Sequence, residues 1–201
     1  MNNKRTRIKI CGIRSPQEAL WAAELGVDAI GLVFYEPSPR HVDVRQAIQV
    51  TANLPPFISV VGLFVNADAG EVRRVQDSLS LDLLQFHGDE DPAYCADFAM
   101  PYMKALRVHT GLNVAAMVGN YHDASAILLD SWSREVAGGS GEQFDWNLIP
   151  PVARKQSLIL AGGLHAGNVA EAIRQVNPYA VDVSSGVEAA PGVKSREKMQ
   201  H

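Results

Sequence analysis

Short apolar runs alternate with longer stretches of helical periodicity along the whole chain. Arg7 to Gly12 reads as a strand, and Ser15-Pro16-Gln17-Glu18 follows it with the marks of a helix start. Ser15 is placed to cap, Pro16 suits the first turn, and Glu18 completes a capping box. That helix runs to Gly26, a C-terminal stop. Ala29 to Phe34 is the second strand, and Asp43 opens a helix to about Asn53. Phe57 to Val65 is the third strand, after which Asn66 or Asp68 caps a helix. Leu83 to His87, Tyr102 to Val108 and Ala126 to Asp130 are the fourth to sixth, with Gly111 and Asn113 leading into a short helix after the fifth. Leu158 to Gly162 is the seventh, a helix covers about Asn168 to Val176, and Ala180 to Ser184 is the eighth.

These runs are apolar along most of their length, as strands covered on both faces are. About eight of them alternating with helices favour a closed sheet over an open one. The predicted fold is therefore α/β, a single (β/α)₈ barrel over residues 1–201. A flavodoxin-like open sheet, the structural rival, needs only about five such units. The stretch from Ser131 to Trp146 is the longest irregular one, and Gly138, Gly139 and Gly141 offer hinges. A loop of that length reads either as an active-site lid or as a solvated surface loop.

Composition narrows the class. Hydrophobic residues make up 47% of the 201, enough for a substantial core, and 20% charged residues exclude both disorder and supercharging. A formal net charge of −4 supplies no general field for nucleic acid or an anionic membrane, so an anionic substrate needs a local site. Two cysteines, Cys11 and Cys95, form no disulfide framework and suggest reduced thiols in the cytoplasm. The basic start is followed by apolar residues interrupted at Lys9, Gly12 and Arg14, which is no secretory core, and no run is long enough to span a bilayer. Metal-ligand spacings of the HxxxH or CxxC kind do not occur.

A βα barrel builds its active site at the C-terminal ends of its strands. Cys11, Arg40, His87, Asp130 and Asp182 all fall at or just beyond such ends. Gly162-Gly163 after the seventh strand and Ser184-Ser185-Gly186 after the eighth can bring backbone N–H groups close to a phosphate. Val187 to Ala190 could add a helical turn there. Each residue also has a plainer reading. Cys11 could be a small buried hydrophobe, Asp130 a loop cap, His87 a local partner of Asp89 or Glu90, and Arg40 a solvated loop residue. Lys9 shares a strand face with Cys11. Cys95 sits on a helical pattern after Asp91-Pro92 and reads as structural.

Taken in order, the segments Lys9-Ile10-Cys11-Gly12-Ile13, Gly31-Leu32-Val33-Phe34 with Ser38-Pro39-Arg40, Val61 to Asn66, and Leu84 to Gly88 form a pattern with Leu128 to Ser131 and Gly138 to Gly141. Phe144-Asp145-Trp146, Leu160 to Leu164, Val181 to Glu188, and Pro191-Gly192 with Lys194 continue it. The pattern resembles the phosphoribosylanthranilate isomerases of tryptophan biosynthesis over nearly the whole chain. One departure lies at the end: the family usually closes with a full eighth helix, whereas Ser195 to His201 hold about two turns.

The resemblance implies an Amadori rearrangement of N-(5-phosphoribosyl)anthranilate to 1-(2-carboxyphenylamino)-1-deoxyribulose 5-phosphate. Only protons move, so it implies no cofactor and no metal. It makes Asp130 the general acid that opens the sugar ring and Cys11 the base that takes the C2′ proton. Asp130 must then hold a proton near neutrality, and Cys11 must be available as thiolate. Arg40 would grip the anthranilate carboxylate, with His87 and Asp182 orienting the substrate. Gly162, Gly163, Ser184, Ser185 and Gly186 would hold its phosphate. The expected partner is a small phosphorylated molecule, not nucleic acid or a membrane, with room for association with other tryptophan-pathway enzymes. Histidine-pathway isomerase barrels and ribulose-phosphate epimerases share such a phosphate site. The internal repeat of the first and the metal-supporting His and Asp sets of the second are absent from the sequence. A non-catalytic phosphosugar-binding barrel is the other reading, and Cys11 with Asp130 argues against it.

Overall fold

The computed structural model describes residues 5–109, 111–131, 145–149 and 157–201. Eight parallel strands close on themselves in chain order: β1 (Arg7–Cys11), β2 (Ala29–Val33), β3 (Ser59–Phe64), β4 (Leu83–Phe86), β5 (Tyr102–Val108), β6 (Ala126–Ser131), β7 (Leu158–Leu160) and β8 (Ala180–Val183). Helices α1 (Pro16–Glu24), α2 (Val44–Thr51), α3 (Ala69–Ser78), α4 (Pro92–Ala96), α5 (Val114–Asn120) and α6 (Val169–Val176) fill the connections. Between β6 and β7 the described residues hold a 3₁₀ turn, Trp146–Leu148. The lid expected between Ser131 and Trp146 falls mostly on 132–144, outside the described residues.

Strand alternation sorts the side chains into two cores. Val61, Met103, Ala105, Ala126, Leu128 and Ile159 point into the barrel. Ile10, Ile30, Leu84, Leu106, Leu129 and Val181 point outward under the helices. Above the inner apolar layers the same row turns polar, with Cys11, Gln85, His87, Asp130 and Asp182 at the mouth.

Local chemistry starts the helices. Ser15 and Glu18 form the expected capping box, each side chain accepting from the other's backbone N–H. Asp43, Asp68, Asp91 and Asn113 cap α2 to α5, so Asp68 rather than Asn66 starts α3. The third strand is shorter than its apolar run: Phe57 is 99% exposed with a left-handed φ of 73°, and pairing begins at Ser59.

After β8 the chain makes a 3₁₀ turn (Ser185–Val187), then a hairpin of β9 (Glu188–Ala190) and β10 (Val193–Lys194), then α7 (Arg196–Gln200). Of the helical turn expected over Val187 to Ala190, Val187 ends the 3₁₀ turn and Glu188–Ala190 is a strand, because Pro191 and Gly192 (φ 76°) reverse the chain there as a turn. Glu18 ties this tail to the front of the barrel. One carboxylate oxygen accepts from the Arg14 and Ser15 amides at 2.7 and 3.2 Å, and the other accepts from the Lys194 amide at 2.8 Å.

Glu18→Ala strands three amides, whereas Ser15→Ala removes one cap. Urea unfolding should show a loss of about 1 kcal/mol for Ser15→Ala and about 3 kcal/mol for Glu18→Ala. Equal losses would mean that Glu18 acts only within the capping box.

Candidate active site

The predicted site residues converge. Cys11, Arg40, His87, Asp130 and Asp182 line one cavity at the C-terminal strand ends, together with Gly162, Gly163, Ser184 and Ser185. Val33, Tyr35, Leu63 and Val65 give it an apolar wall.

His87 pairs both with Gln85, two residues back, and with Asp130 on β6. Its Nε2 lies 3.0 Å from Asp130 Oδ2, and its Nδ1 lies 2.9 Å from Gln85 Nε2. With the Gln85 amide donating to Nδ1, Nε2 carries the ring proton and donates to Asp130. The Ser131 amide donates to Asp130 Oδ1 at 2.8 Å. Two donors thus aim at the carboxylate, the form Asp130 takes once a proton is given away. The adjacent turn must be glycine, since a Cβ on Gly162 would lie 2.4 Å from the Ser131 nitrogen and 2.9 Å from Asp130 Oδ1. Arg107, level with Asp130 on β5, donates to the His87 carbonyl at 3.1 Å.

Across the mouth stands Cys11, 5% exposed. Lys9 lies two residues back on the same strand face, with its ammonium 2.9 Å from Asp182 Oδ1. Burial pushes the Cys11 thiol up. Lys9 pulls it down, Asp182 pushes it up and Lys194 pulls it down, and the net position stays above the ordinary value. The thiolate expected of Cys11 is therefore not its resting form.

Arg40 overturns the solvated-loop reading. It is 8% exposed, and its Nε and Nη2 donate to the two Glu188 carboxylate oxygens, each at 2.8 Å. Lys194 holds Glu188 Oε1 from the other side at 2.7 Å. Burial pushes the Glu188 carboxyl up, and the hydrogen bonds from Arg40 and Lys194 outweigh it, so the group sits below its ordinary range. The Arg40 stem packs under the Cys11–Gly12 turn, where a Cβ on Gly12 would lie 2.6 Å from Arg40 Cδ.

The glycine turns divide. Gly162 and Gly163 have φ of 82° and 64°, which glycine adopts without strain, and both line the cavity. Gly186 does not line it: its Cα packs against the β7–α6 loop, with a hypothetical Cβ only 1.9 Å from the Leu164 carbonyl oxygen. Close packing therefore accounts for the glycine at 186.

One family model, described as N-(5'phosphoribosyl)anthranilate (PRA) isomerase, matches residues 8–201. The chain belongs to the phosphoribosylanthranilate isomerase family. The N-(5'-phosphoribosyl)anthranilate isomerase of Azotobacter vinelandii is 58% identical over 194 residues, 96% of this chain and 94% of that protein. The crystal structure of phosphoribosyl anthranilate isomerase from Thermotoga maritima is 38% identical, with a TM-score of 0.90 over 98% of this chain and 96% of that one. Another solved isomerase structure, in complex with reduced 1-(o-carboxyphenylamino)-1-deoxyribulose 5-phosphate, is 38% identical with a TM-score of 0.86 over 98% and 95% of the two chains.

Seen as an isomerase site, the cavity and the ion pairs behind it hold residues to which sequence reasoning gave no role. Gln85 is two positions before His87, and alternation alone would have put it on the same face. Glu188 and Lys194 belong to the family pattern, but their pairing with each other and with Arg40 carried no signal, because the partners lie far off in sequence or across a hairpin. Cys95 fits a structural role: it is fully buried on the inner face of α4, and burial pushes its thiol up to about 12.

Glu188 sets a pH test. A carboxyl held below its ordinary value of 4.5 contributes stability above that pH and loses it as pH falls toward the folded value. Glu188→Gln should be less stable than the parent at neutral pH and should lose less on acidification, so their urea midpoints converge at low pH. Parallel curves would remove Glu188 from the acid response.

Proposed function

We propose that this barrel converts N-(5'-phosphoribosyl)anthranilate to 1-(2-carboxyphenylamino)-1-deoxyribulose 5-phosphate, the isomerase step of tryptophan biosynthesis, with Asp130 as general acid and Cys11 as general base. The observation that carries the reading is the placement of these two groups on β1 and β6, across one cavity that the Gly162-Gly163 turn also lines. They flank a space rather than each other, as an acid and a base acting on different atoms of one sugar must.

The steps follow from the geometry. Asp130 delivers its proton to the ring oxygen as the C1′–O bond breaks, and the anthranilate nitrogen's lone pair forms the Schiff base. The His87 N–H and the Ser131 amide receive the new carboxylate. The Cys11 thiolate, formed by loss of the thiol proton to water, takes the C2′ proton, the electron pair moves to the Schiff-base nitrogen, and the resulting enolamine tautomerises to the ketone. Arg40 Nη1 takes no part in the Glu188 pair and is offered to the anthranilate carboxylate. His87 and Asp182 act on this reading mainly through Asp130 and Lys9. The phosphate binds at Gly162, Gly163, Ser184 and Ser185, near Gly186. Two unpaired thiols suit a reducing cytoplasm.

Cys11→Ala and Asp130→Asn should fold and still bind a reduced product analogue, while each loses about a hundred- to ten-thousand-fold in turnover. Substrate fluorescence during consumption and calorimetry of analogue binding check the two halves. Losses below about tenfold in both variants would return Cys11 to a buried hydrophobe and Asp130 to a loop cap. Binding without turnover in the parent chain would leave only the non-catalytic phosphosugar binder.

A further inference from the structure

Lys9 is 3% exposed in the barrel interior, and the mechanism above names it only as the group through which Asp182 acts. A buried ion pair is a poor stability device, because desolvation offsets most of the attraction and an apolar pair of similar volume would serve as well. The layers beneath it are filled that way, by Val61, Met103 and Leu128. Something other than packing has to use the charge.

The geometry identifies the user. The β1–β8 register sets Lys9 opposite Asp182, which anchors one ammonium N–H at 2.9 Å. The β1–β2 register sets Cys11 opposite Gly31, and a Cβ there would lie 2.8 Å from Cys11 Sγ and 3.1 Å from Lys9 Nζ. The missing side chain at Gly31 thus leaves one small space with both the ammonium and the sulfur on its edge. Lys194, the other cation near the thiol, has its donors taken: it bonds Glu188 Oε1 at 2.7 Å, the Ser184 carbonyl at 3.1 Å and Ser184 Oγ at 3.4 Å. Lys9 has N–H groups left for the sulfur.

We infer that Lys9 is the positioning residue that makes Cys11 a base: anchored by Asp182, its ammonium donates a hydrogen bond to the thiolate in the gap left by Gly31. The inference rests on the proposed role of Cys11. The charged groups facing the sulfur are Lys9 from β1, Asp182 from β8 and Lys194 from β10. Burial and Asp182 oppose ionisation, and Lys194 helps from a distance while committed to Glu188. Lys9 alone combines charge, contact and a spare donor. When the thiolate takes the C2′ proton, the Lys9–Asp182 pair remains neutral as a unit, so no charge is left stranded in the interior.

The test reads the thiol directly. The rate of Cys11 alkylation by iodoacetamide is followed against pH, with the modified peptide located by mass spectrometry, in the parent, Lys9→Met, Lys9→Arg and the double variant Lys9→Met with Asp182→Asn. The double variant leaves no unpaired carboxylate and covers the case in which Lys9→Met alone does not fold. The alkylation midpoint should rise by about one to three pH units in Lys9→Met, rise less in the double variant, and return toward the parent in Lys9→Arg. The acidic limb of the kcat profile should move with it. A folded double variant with the parent's midpoint would overturn the inference. Should Cys11→Ala stay active while the midpoint still moves, the electrostatic inference stands and the base assignment falls.

Discussion

Closure of the barrel between β8 and β1 is the contact from which the site is made. The parallel register of those two strands brings residues 173 positions apart into bonding distance: Lys9 to Asp182, and the Ser184 hydroxyl to the Cys11 carbonyl. Only in the closed sheet do the first strand's thiol, the Gly162-Gly163 turn after the seventh strand and Ser184-Ser185 after the eighth face one cavity. An open sheet would leave Lys9 as an unpaired charge on an edge strand and put the turns on the far side. The interior ion pair and the closure therefore depend on each other, since the pair is tolerable only when dry and paired, and pairing exists only on closure.

The tail completes what closure begins. Glu188, in the hairpin after β8, receives Arg40 from the β2–α2 connection and Lys194 from the opposite hairpin strand. Glu18, at the start of α1, takes the Lys194 amide. These two carboxylates fasten three connections that lie far apart in sequence, and the packing of Arg40 beneath Gly12 passes the constraint to the turn after Cys11. Arg40 is therefore part of the wall as well as the guanidinium proposed to meet the substrate. Losing it should disturb binding and stability together, a correction to the expectation that a loop arginine is free of the core.

The eight strands were legible because their runs are apolar on both faces and regularly spaced, and the site was legible because a closed barrel uses its strand ends. The family resemblance then assigned roles that spacing alone left open. What escaped has a common physical origin. The burial of Arg40 and its ion pair escaped because its partner is 148 residues away. The short hairpin was hidden because each strand is too short to show alternation, although Pro191-Gly192 was a readable turn signal. The resting state of Cys11 could not be read from neighbours in sequence, since burial dominates it and burial is a property of the closed fold.

That resting state bears on why a thiol suits this position. The proposed substrate brings a phosphate and a carboxylate into a mouth whose cations are already paired: Lys9 with Asp182, and Arg40 and Lys194 with Glu188. A permanently ionised base beside them would repel both anions through a poorly screened interior. A thiol held above its ordinary value rests neutral and adds no repulsion on entry. The same burial makes any thiolate that forms a stronger base toward C2′, because it is poorly solvated. What burial cannot supply is a route to ionisation, and for that a neighbour must help without adding net charge of its own. A lysine anchored on an aspartate meets that condition, since the pair is neutral as a whole and presents its positive end to the sulfur.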